Sequence, residues 1–249
     1  MIRVTVWNEN IHDQKDEVKA VYPLGIHGTI AAFLSKDPEL EVRTATLDQP
    51  ACGLPDDVLQ NTDVLFWWGH IAHGKVPDEL AVKAADRVRQ GMGLVMLHSG
   101  HESKLFKMLM GTTCSLRWRD PDFERLWCID PSHPLTSGVP AMFELPVEEM
   151  YGEAFDIPHP DSVVYGGWFR GGELFRSVCT FTRGAGKIVY FQPGHETFPT
   201  YHNEHVQTIL TNAAHFTAPV RYRTTLGCFH SEMTTEERYE KGIPFDMMY

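Results

Sequence analysis

The 249-residue sequence is short of positive charge and of long apolar runs. Lysine and arginine number 22 against 33 aspartate and glutamate residues, which gives a formal net charge of −11. This charge, with no basic cluster, argues against a nucleic-acid partner. No stretch approaches the roughly 20 consecutive apolar residues that span a bilayer, and the first residues lack the apolar core of a signal peptide. We therefore expect a cytoplasmic protein without a membrane partner.

Cysteine is sparse and unpaired in pattern. The chain has five cysteines, an odd number, and none forms a C-x-x-C pair. In a protein without a secretory signal, such a pattern indicates reduced thiols rather than a disulfide framework. The five are Cys52, Cys114, Cys128, Cys179 and Cys228.

The first half of the chain alternates short apolar runs with amphipathic segments. Strands are predicted at residues 2–7, 41–47, 63–68 and 93–97, and helices at 27–34, 55–61, 77–90 and up to about 110. This alternation is typical of a parallel sheet with crossover helices. In the second half, glycine turns separate strands predicted at 126–129, 163–169, 174–181 and 187–191, before a last helix at about 199–216.

A change of character divides the chain near residue 218. We assign residues 1–218 to one α/β domain and residues 219–249 to a polar C-terminal tail. The tail has no periodicity of its own, so we interpret it as an arm that packs on a neighbouring subunit. The expected assembly is a homo-oligomer.

Histidine is abundant, with 13 residues, and several follow the predicted strands directly. His70 follows the strand ending at 68, His98 the strand ending at 97, and His195 with Glu196 the strand ending at 191, while His27 opens a helix. The carboxyl ends of parallel strands share one edge, where ligands bind. We therefore predict a shared pocket whose metal ligands are His70, His98, His195 and His27. Zinc is the first candidate, although imidazole also suits nickel, copper and iron. The alternative is a set of hydrogen-bonded structural histidines.

Several long motifs carry a resemblance to a known family. In chain order they are NEN, YPLGIH, TDVLFWWGHIAH, GMGLVMLHSGHESKLFK, EEMYGEAF, GGELFRS and YFQPGHETFPTYH. Together, over residues 4–216, they resemble the ThuA-like (trehalose utilisation) family. The resemblance implies a class I glutamine-amidotransferase-like fold, a flavodoxin-like three-layer sandwich with a mainly parallel sheet. It also implies catabolism of trehalose and related disaccharides, beside oxidoreductases that make 3-keto sugars.

The residues depart from the amidotransferase pattern at its two reactive positions. Where those enzymes present cysteine on a G-x-C-x-G turn, this chain reads MLHSG, with His98 in the place of the nucleophile. Gln192 stands where the general base is expected. A cysteine nucleophile needs a thiolate and a base, so glutamine hydrolysis by that route is excluded. Ser99 is the only nearby substitute, and no base is evident beside it.

Aromatic and polar residues around these turns suggest a sugar site. Carbohydrate sites combine aromatic faces with hydrogen bonds from carboxylates and arginine, and the candidates are Trp68, Glu149, Tyr151, Trp168 and Arg170. The alternative is that Trp68 packs in a buried strand and that Glu149 and Tyr151 belong to a structural turn.

The combined prediction is a metal- or histidine-assisted enzyme that acts on a sugar or 3-keto sugar. A divalent cation would polarise a carbonyl or hydroxyl group and activate water. His98, His195, Glu196 and Glu102 are the predicted catalytic residues, with Glu196 or Glu102 as general base. The competing hypothesis is a non-catalytic sugar-binding or regulatory protein on the same fold.

Overall fold

One nine-stranded sheet organises the computed structural model, which describes residues 1–227 and 232–244. Its strands are β1 (Ile2–Asn8), β2 (Leu40–Thr46), β3 (Val64–Trp68), β4 (Gly93–Leu97), β5 (Arg117–Cys128), β6 (Met142–Gly152), β7 (Ser162–Phe169), β8 (Leu174–Arg183) and β9 (Gly186–Phe191). They lie side by side in the order β2-β1-β3-β4-β9-β8-β7-β5-β6. The helices are α1 (Asp16–Val21), α2 (Gly25–Leu34), α3 (Asp56–Gln60), α4 (Asp78–Gln90), α5 (Lys104–Met110), α6 (Glu204–Thr217) and α7 (Thr235–Glu240).

Five strands form a parallel half, in which β1, β3 and β4 are neighbours as predicted. Val6 pairs with Phe66, and Phe66 pairs with Val95. Every residue of β3 and β4 is buried. Short, wholly apolar runs of this kind suit strands that are covered on both faces.

The expectation of a mainly parallel sheet is wrong for the second half of the chain. Four strand pairings are parallel and four are antiparallel. The β8–β9 connection shows the physical reason, because a two-residue turn through Gly184, at φ +62°, joins them. A turn this short links antiparallel strands, whereas a parallel pair needs a long crossover.

Helices cover both faces of the parallel half. Ile30 of α2 and Leu210 of α6 pack with Phe66 in one apolar cluster. Ala84 of α4 packs with Leu65 in a second cluster on the opposite face. Because Leu65 and Phe66 are neighbours on β3 and alternate in direction, the two clusters lie on either side of the sheet.

The first residues of the predicted tail pack against the domain of the same chain. The Tyr222 hydroxyl donates to Asp63 Oδ1 at 2.9 Å, and the Arg87 guanidinium lies 4.8 Å from its ring centroid. Residues 228–231 and 245–249 fall outside the described residues, and with them Cys228 and part of the proposed arm. The other four cysteines are free thiols. Among the described residues, no helix is long and apolar enough to cross a membrane.

The close approach of α6 to β4 gives a test of this packing. A Cβ added to Gly93 would lie 2.5 Å from the Thr217 carbonyl oxygen. We expect Gly93→Ala to lower the free energy of unfolding by roughly 1–3 kcal/mol through overpacking. Gly74→Ala is the matched control, because nothing lies within 4 Å of its added Cβ. Urea unfolding measures both, and equal stabilities would contradict the close contact.

Candidate active site

Three histidines from three strand ends face one another at the carboxyl edge of the parallel half. The imidazole centroids of His70 and His98 are 6.2 Å apart, those of His70 and His195 6.0 Å, and those of His98 and His195 5.8 Å. His98 and His195 are buried, while the side chain of His70 is 26% exposed. The structure thus brings these three predicted residues together, with His70 on the solvent side.

His98 stands on a strained turn immediately after β4. Its φ is +49°, in the left-handed region that residues other than glycine rarely occupy. Its Nδ1 donates to the Gln192 carbonyl oxygen at 2.8 Å, and its Nε2 lies 2.9 Å from Glu149 Oε2. The ring stacks on Tyr151 with a centroid separation of 5.0 Å. These contacts keep a proton on Nδ1, hold the ring in one orientation and direct Nε2 toward a carboxylate.

Glu149 controls the protonation of His98. Burial acts to lower the pKa of His98, but the negatively charged Glu149 carboxylate beside Nε2 outweighs it, so the pKa is raised. Burial likewise acts to raise the pKa of Glu149, and His98 reverses the direction, so that the pKa is lowered. The two residues therefore favour the charged pair.

Glu196 is a buried carboxylate that three imidazoles surround. Its oxygens lie 3.1 Å from His70 Nδ1, 3.7 Å from His195 Nε2 and 3.4 Å from His12 Nε2. Burial acts to raise the pKa of Glu196, but the contact with His70 and the charge of His195 lower it well below its ordinary value. Glu196 is therefore held as an anion.

His195 carries polar groups on both sides of its ring. Its Nδ1 is 2.9 Å from the Thr197 hydroxyl, and its Nε2 is 3.9 Å from Asp120 Oδ2. Burial, followed by the charge of His98, lowers the pKa of His195. Asp120 reaches the site from β5, at a point where the pairing of β5 with β6 changes register.

Glu9, just beyond β1, holds the turn that carries His70. Its carboxylate accepts the backbone N–H groups of His70 at 2.7 Å, Ile71 at 3.0 Å and Ala72 at 2.9 Å. Sequence reasoning missed Glu9 and His12, although the rule that located the other histidines applies equally to the end of β1.

Glu148, on β6, holds the turn that carries His195. It accepts the backbone N–H groups of Gly194 at 3.0 Å and His195 at 3.1 Å, and it also accepts the Thr200 hydroxyl. Sequence reasoning treated residues 148–153 as a pocket wall or a turn, and they fall at the end of the long strand β6, which it did not predict.

Trp68 forms an apolar wall beside the imidazoles. Its ring meets those of His12 and His70 edge-on, with centroid separations of 6.3 and 6.2 Å. Its indole N–H donates to the Gly194 carbonyl oxygen at 3.1 Å. Trp68 therefore packs in the core and also borders the site.

Four predicted site residues make their contacts elsewhere. The Nδ1 of His27 is 3.0 Å from Asn8 Nδ2, and the Glu102 carboxylate pairs with Lys107. The ring of Trp168 receives the Arg125 guanidinium at 5.5 Å. Arg170 is exposed, and its backbone N–H donates to Asp122.

Donor atoms close enough to share one cation come from a set that differs from the predicted one. Within the described residues, His12, His70 and Glu196 place their donor atoms within 4.8 Å of one another. Of the predicted ligands, only His70 belongs to this set. A second group, at Asp37, Glu39 and His215, includes an exposed glutamate.

A buried hydrogen-bond chain behind His98 includes a neutral carboxylic acid. Ser177 Oγ lies 2.7 Å from Glu124 Oε1 and 3.1 Å from Gln192 Oε1. The Gln192 amide donates through Nε2 to the Glu149 carbonyl oxygen, which leaves Oε1 to face Ser177. Because one hydroxyl proton cannot serve two acceptors, Glu124 must supply a proton of its own. Burial, followed by the charge of Glu148, raises the pKa of Glu124 well above 4.5.

This neutral acid makes stability depend on pH. Glu124 is protonated in the folded protein and ionised in the unfolded chain, so rising pH reduces stability above the unfolded pKa. Glu124→Gln removes this effect and keeps an N–H group that can donate to Ser177. We expect the free energy of unfolding of the variant to rise relative to that of the wild type as the pH increases above about 5, by up to about 1.4 kcal/mol per pH unit.

Urea unfolding across this pH range tests the neutral acid. Glu144→Gln, an exposed position on β6, is the control and should show no such trend. A stability difference between Glu124→Gln and wild type that does not change with pH would contradict a protonated Glu124.

Comparisons with known proteins agree with this architecture. A ThuA-like protein from Parabacteroides merdae superposes with a TM-score of 0.66 at 15% identity, covering 94% of this chain and 96% of that one. A cytoplasmic protein from Salmonella typhimurium LT2 gives 0.59 at 13% identity, covering 87% and 100%. A β-galactosidase from Rahnella sp. R3 gives 0.50 at 10% identity, covering 88% of this chain and 32% of the enzyme.

These likenesses, all below 25% identity, show the fold alone. No protein of curated function matches the chain. The family model described as "Trehalose utilisation" matches residues 3–217, most of the chain. This protein therefore belongs to the ThuA family, which supports a role in sugar metabolism.

Proposed function

We propose that the protein is an enzyme that transfers protons on a sugar or 3-keto sugar. The observation that carries the proposal is the arrangement of His98, whose Nδ1 is committed to a carbonyl and whose Nε2 meets Glu149 at 2.9 Å, facing His195 across 5.8 Å. Two imidazoles at this separation, each beside a carboxylate, suit general acid–base catalysis.

The residues take different parts in this proposal. His98 with Glu149 exchanges one proton with the substrate, and His195 beside Glu196 exchanges the other. Tyr151, stacked on His98, orients its ring. Glu102 is left out of the catalytic set because its carboxylate is paired with Lys107.

A 3-keto sugar is the substrate class that this pair serves best. The carbonyl group acidifies the hydrogen atoms on the neighbouring carbons, so a base and an acid suffice to move protons there. The proposal retains a divalent cation, with zinc first, which would polarise that carbonyl. We also propose, as the sequence predicts, that the protein is cytoplasmic, forms a homo-oligomer and has a flavodoxin-like three-layer fold.

Hydrogen exchange on the substrate tests the proposal directly. We expect the protein to incorporate solvent deuterium beside the carbonyl of 3-keto-trehalose, followed by nuclear magnetic resonance. His98→Asn and His195→Asn should each slow the exchange by roughly 100-fold or more. His159→Asn, at an exposed position, should exchange at the wild-type rate.

The same experiment separates the enzyme from a binding protein. If trehalose or 3-keto-trehalose binds, as titration calorimetry would show, and wild-type protein gives no exchange, acid–base catalysis is wrong. The non-catalytic sugar-binding hypothesis would then replace it.

Glutamine should not be a substrate. His98 occupies the turn after β4, where a cysteine nucleophile would be needed. The nearby Cys114 is buried, and burial raises the pKa of its thiol to about 11, which keeps the thiol protonated. We expect pure protein to release no ammonia from glutamine in a coupled assay. Release that is lost in Ser99→Ala would contradict this prediction.

A further inference from the structure

We propose that His12, His70 and Glu196 form a binding site for one divalent transition-metal ion of the zinc class. The proposal deepens the proposed function by naming the ligands of its cation. The three side chains come from separate segments that follow β1, β3 and β9, and their donor atoms lie within 4.8 Å of one another.

Each imidazole lies from the Glu196 carboxylate at a distance close to the spacing of neighbouring ligand atoms around zinc. Zinc–nitrogen and zinc–oxygen bonds of about 2.0–2.1 Å place neighbouring ligand atoms about 3.3–3.4 Å apart. His70 Nδ1 lies 3.1 Å from Glu196 Oε2, and His12 Nε2 lies 3.4 Å from Glu196 Oε1. His195 Nε2 lies 3.7 Å from Glu196 Oε2, beside the proposed ion. The three proposed ligands leave a fourth coordination position open.

His12 is the observation that points to a ligand. Its side chain is only 4% exposed, and its Nδ1 has no hydrogen-bond partner among the described residues. Its Nε2 approaches Glu196 without forming a hydrogen bond of acceptable geometry. The two nitrogens of this buried ring thus face two carboxylates, Nδ1 that of Glu9 and Nε2 that of Glu196, and Nε2 is free to bind a cation shared with Glu196.

Glu9 lies on the side of the His12 ring opposite the proposed ion and supports the same assignment. Its Oε1 lies 3.8 Å from His12 Nδ1, the nitrogen that points away from the proposed ion. A carboxylate on the far side of a ligating imidazole is the usual outer partner of metal-bound histidine. Glu9 also accepts the backbone N–H of His70, so this carboxylate holds the turn of one proposed ligand and faces the ring of the other.

Zinc binding to the full-length protein tests the site without any sugar. Protein stripped with a chelator is titrated with zinc chloride in a calorimeter, and its thermal midpoint is recorded with and without the ion. We expect one zinc per chain and a higher midpoint with zinc, because an ion that binds only the folded state stabilises it. Magnesium should have little effect, since it prefers oxygen ligands.

Variants assign the ion to these residues. His12→Gln and Glu196→Gln should weaken zinc binding by roughly 100-fold, while His12→Cys, which restores a ligand, should recover it. His215→Gln removes the imidazole of the other donor group and should bind zinc like the wild type. Circular dichroism confirms that each variant folds.

The outcomes are distinct. Wild-type protein that binds no zinc, or binding that survives His12→Gln and disappears in His215→Gln, would overturn the site. Zinc binding without deuterium exchange on 3-keto-trehalose would support the metal site and contradict the proposed reaction. Deuterium exchange that continues in zinc-free protein would show that the ion is not required for catalysis.

Discussion

The site depends on one buried carboxylate, that of Glu196. An ionised carboxylate in the protein interior costs several kcal/mol unless charges and hydrogen bonds compensate it. The compensation comes from imidazoles that follow two different parallel strands, through the contact with His70 after β3 and the charge of His195 after β9. Those strand ends must therefore remain aligned at one edge for Glu196 to stay charged, and the packing of the sheet and the electrostatics of the site constrain each other.

Two further glutamates hold the turns that carry His70 and His195 in place. Glu9 binds three backbone N–H groups of the turn after β3, and Glu148 binds two in the turn after β9. These groups would otherwise be unsatisfied donors at the edge of the sheet. The turns that carry His70 and His195 are thus fixed by side chains from β6 and from the end of β1, a support that keeps functional groups in position.

The sequence predicts the parallel half of the fold and three of the clustered histidines, and it fails where the support comes from distant segments. His70, His98 and His195 lie within four residues of the ends of strands that the sequence predicts, so strand position locates them. His12 follows β1 by four residues, in a polar segment without periodicity. Glu149 sits on an edge strand, and its approach to His98 depends on how the antiparallel half curves, which includes the register changes between β5 and β6. Local patterning carries no information about that curvature.

The turn at His98 determines which chemical groups the end of β4 presents to the site. Its left-handed backbone, φ +49°, is the strained arrangement expected of a side chain presented between a strand and a helix. The presented group here is an imidazole, whose Nδ1 is bound by the backbone of Gln192. The side chain of Gln192 joins Ser177 of β8 to Glu149 of β6. Gln192 therefore orients His98 through its backbone, and under the proposed function the reactive atoms belong to the imidazole and carboxylate groups that face His98.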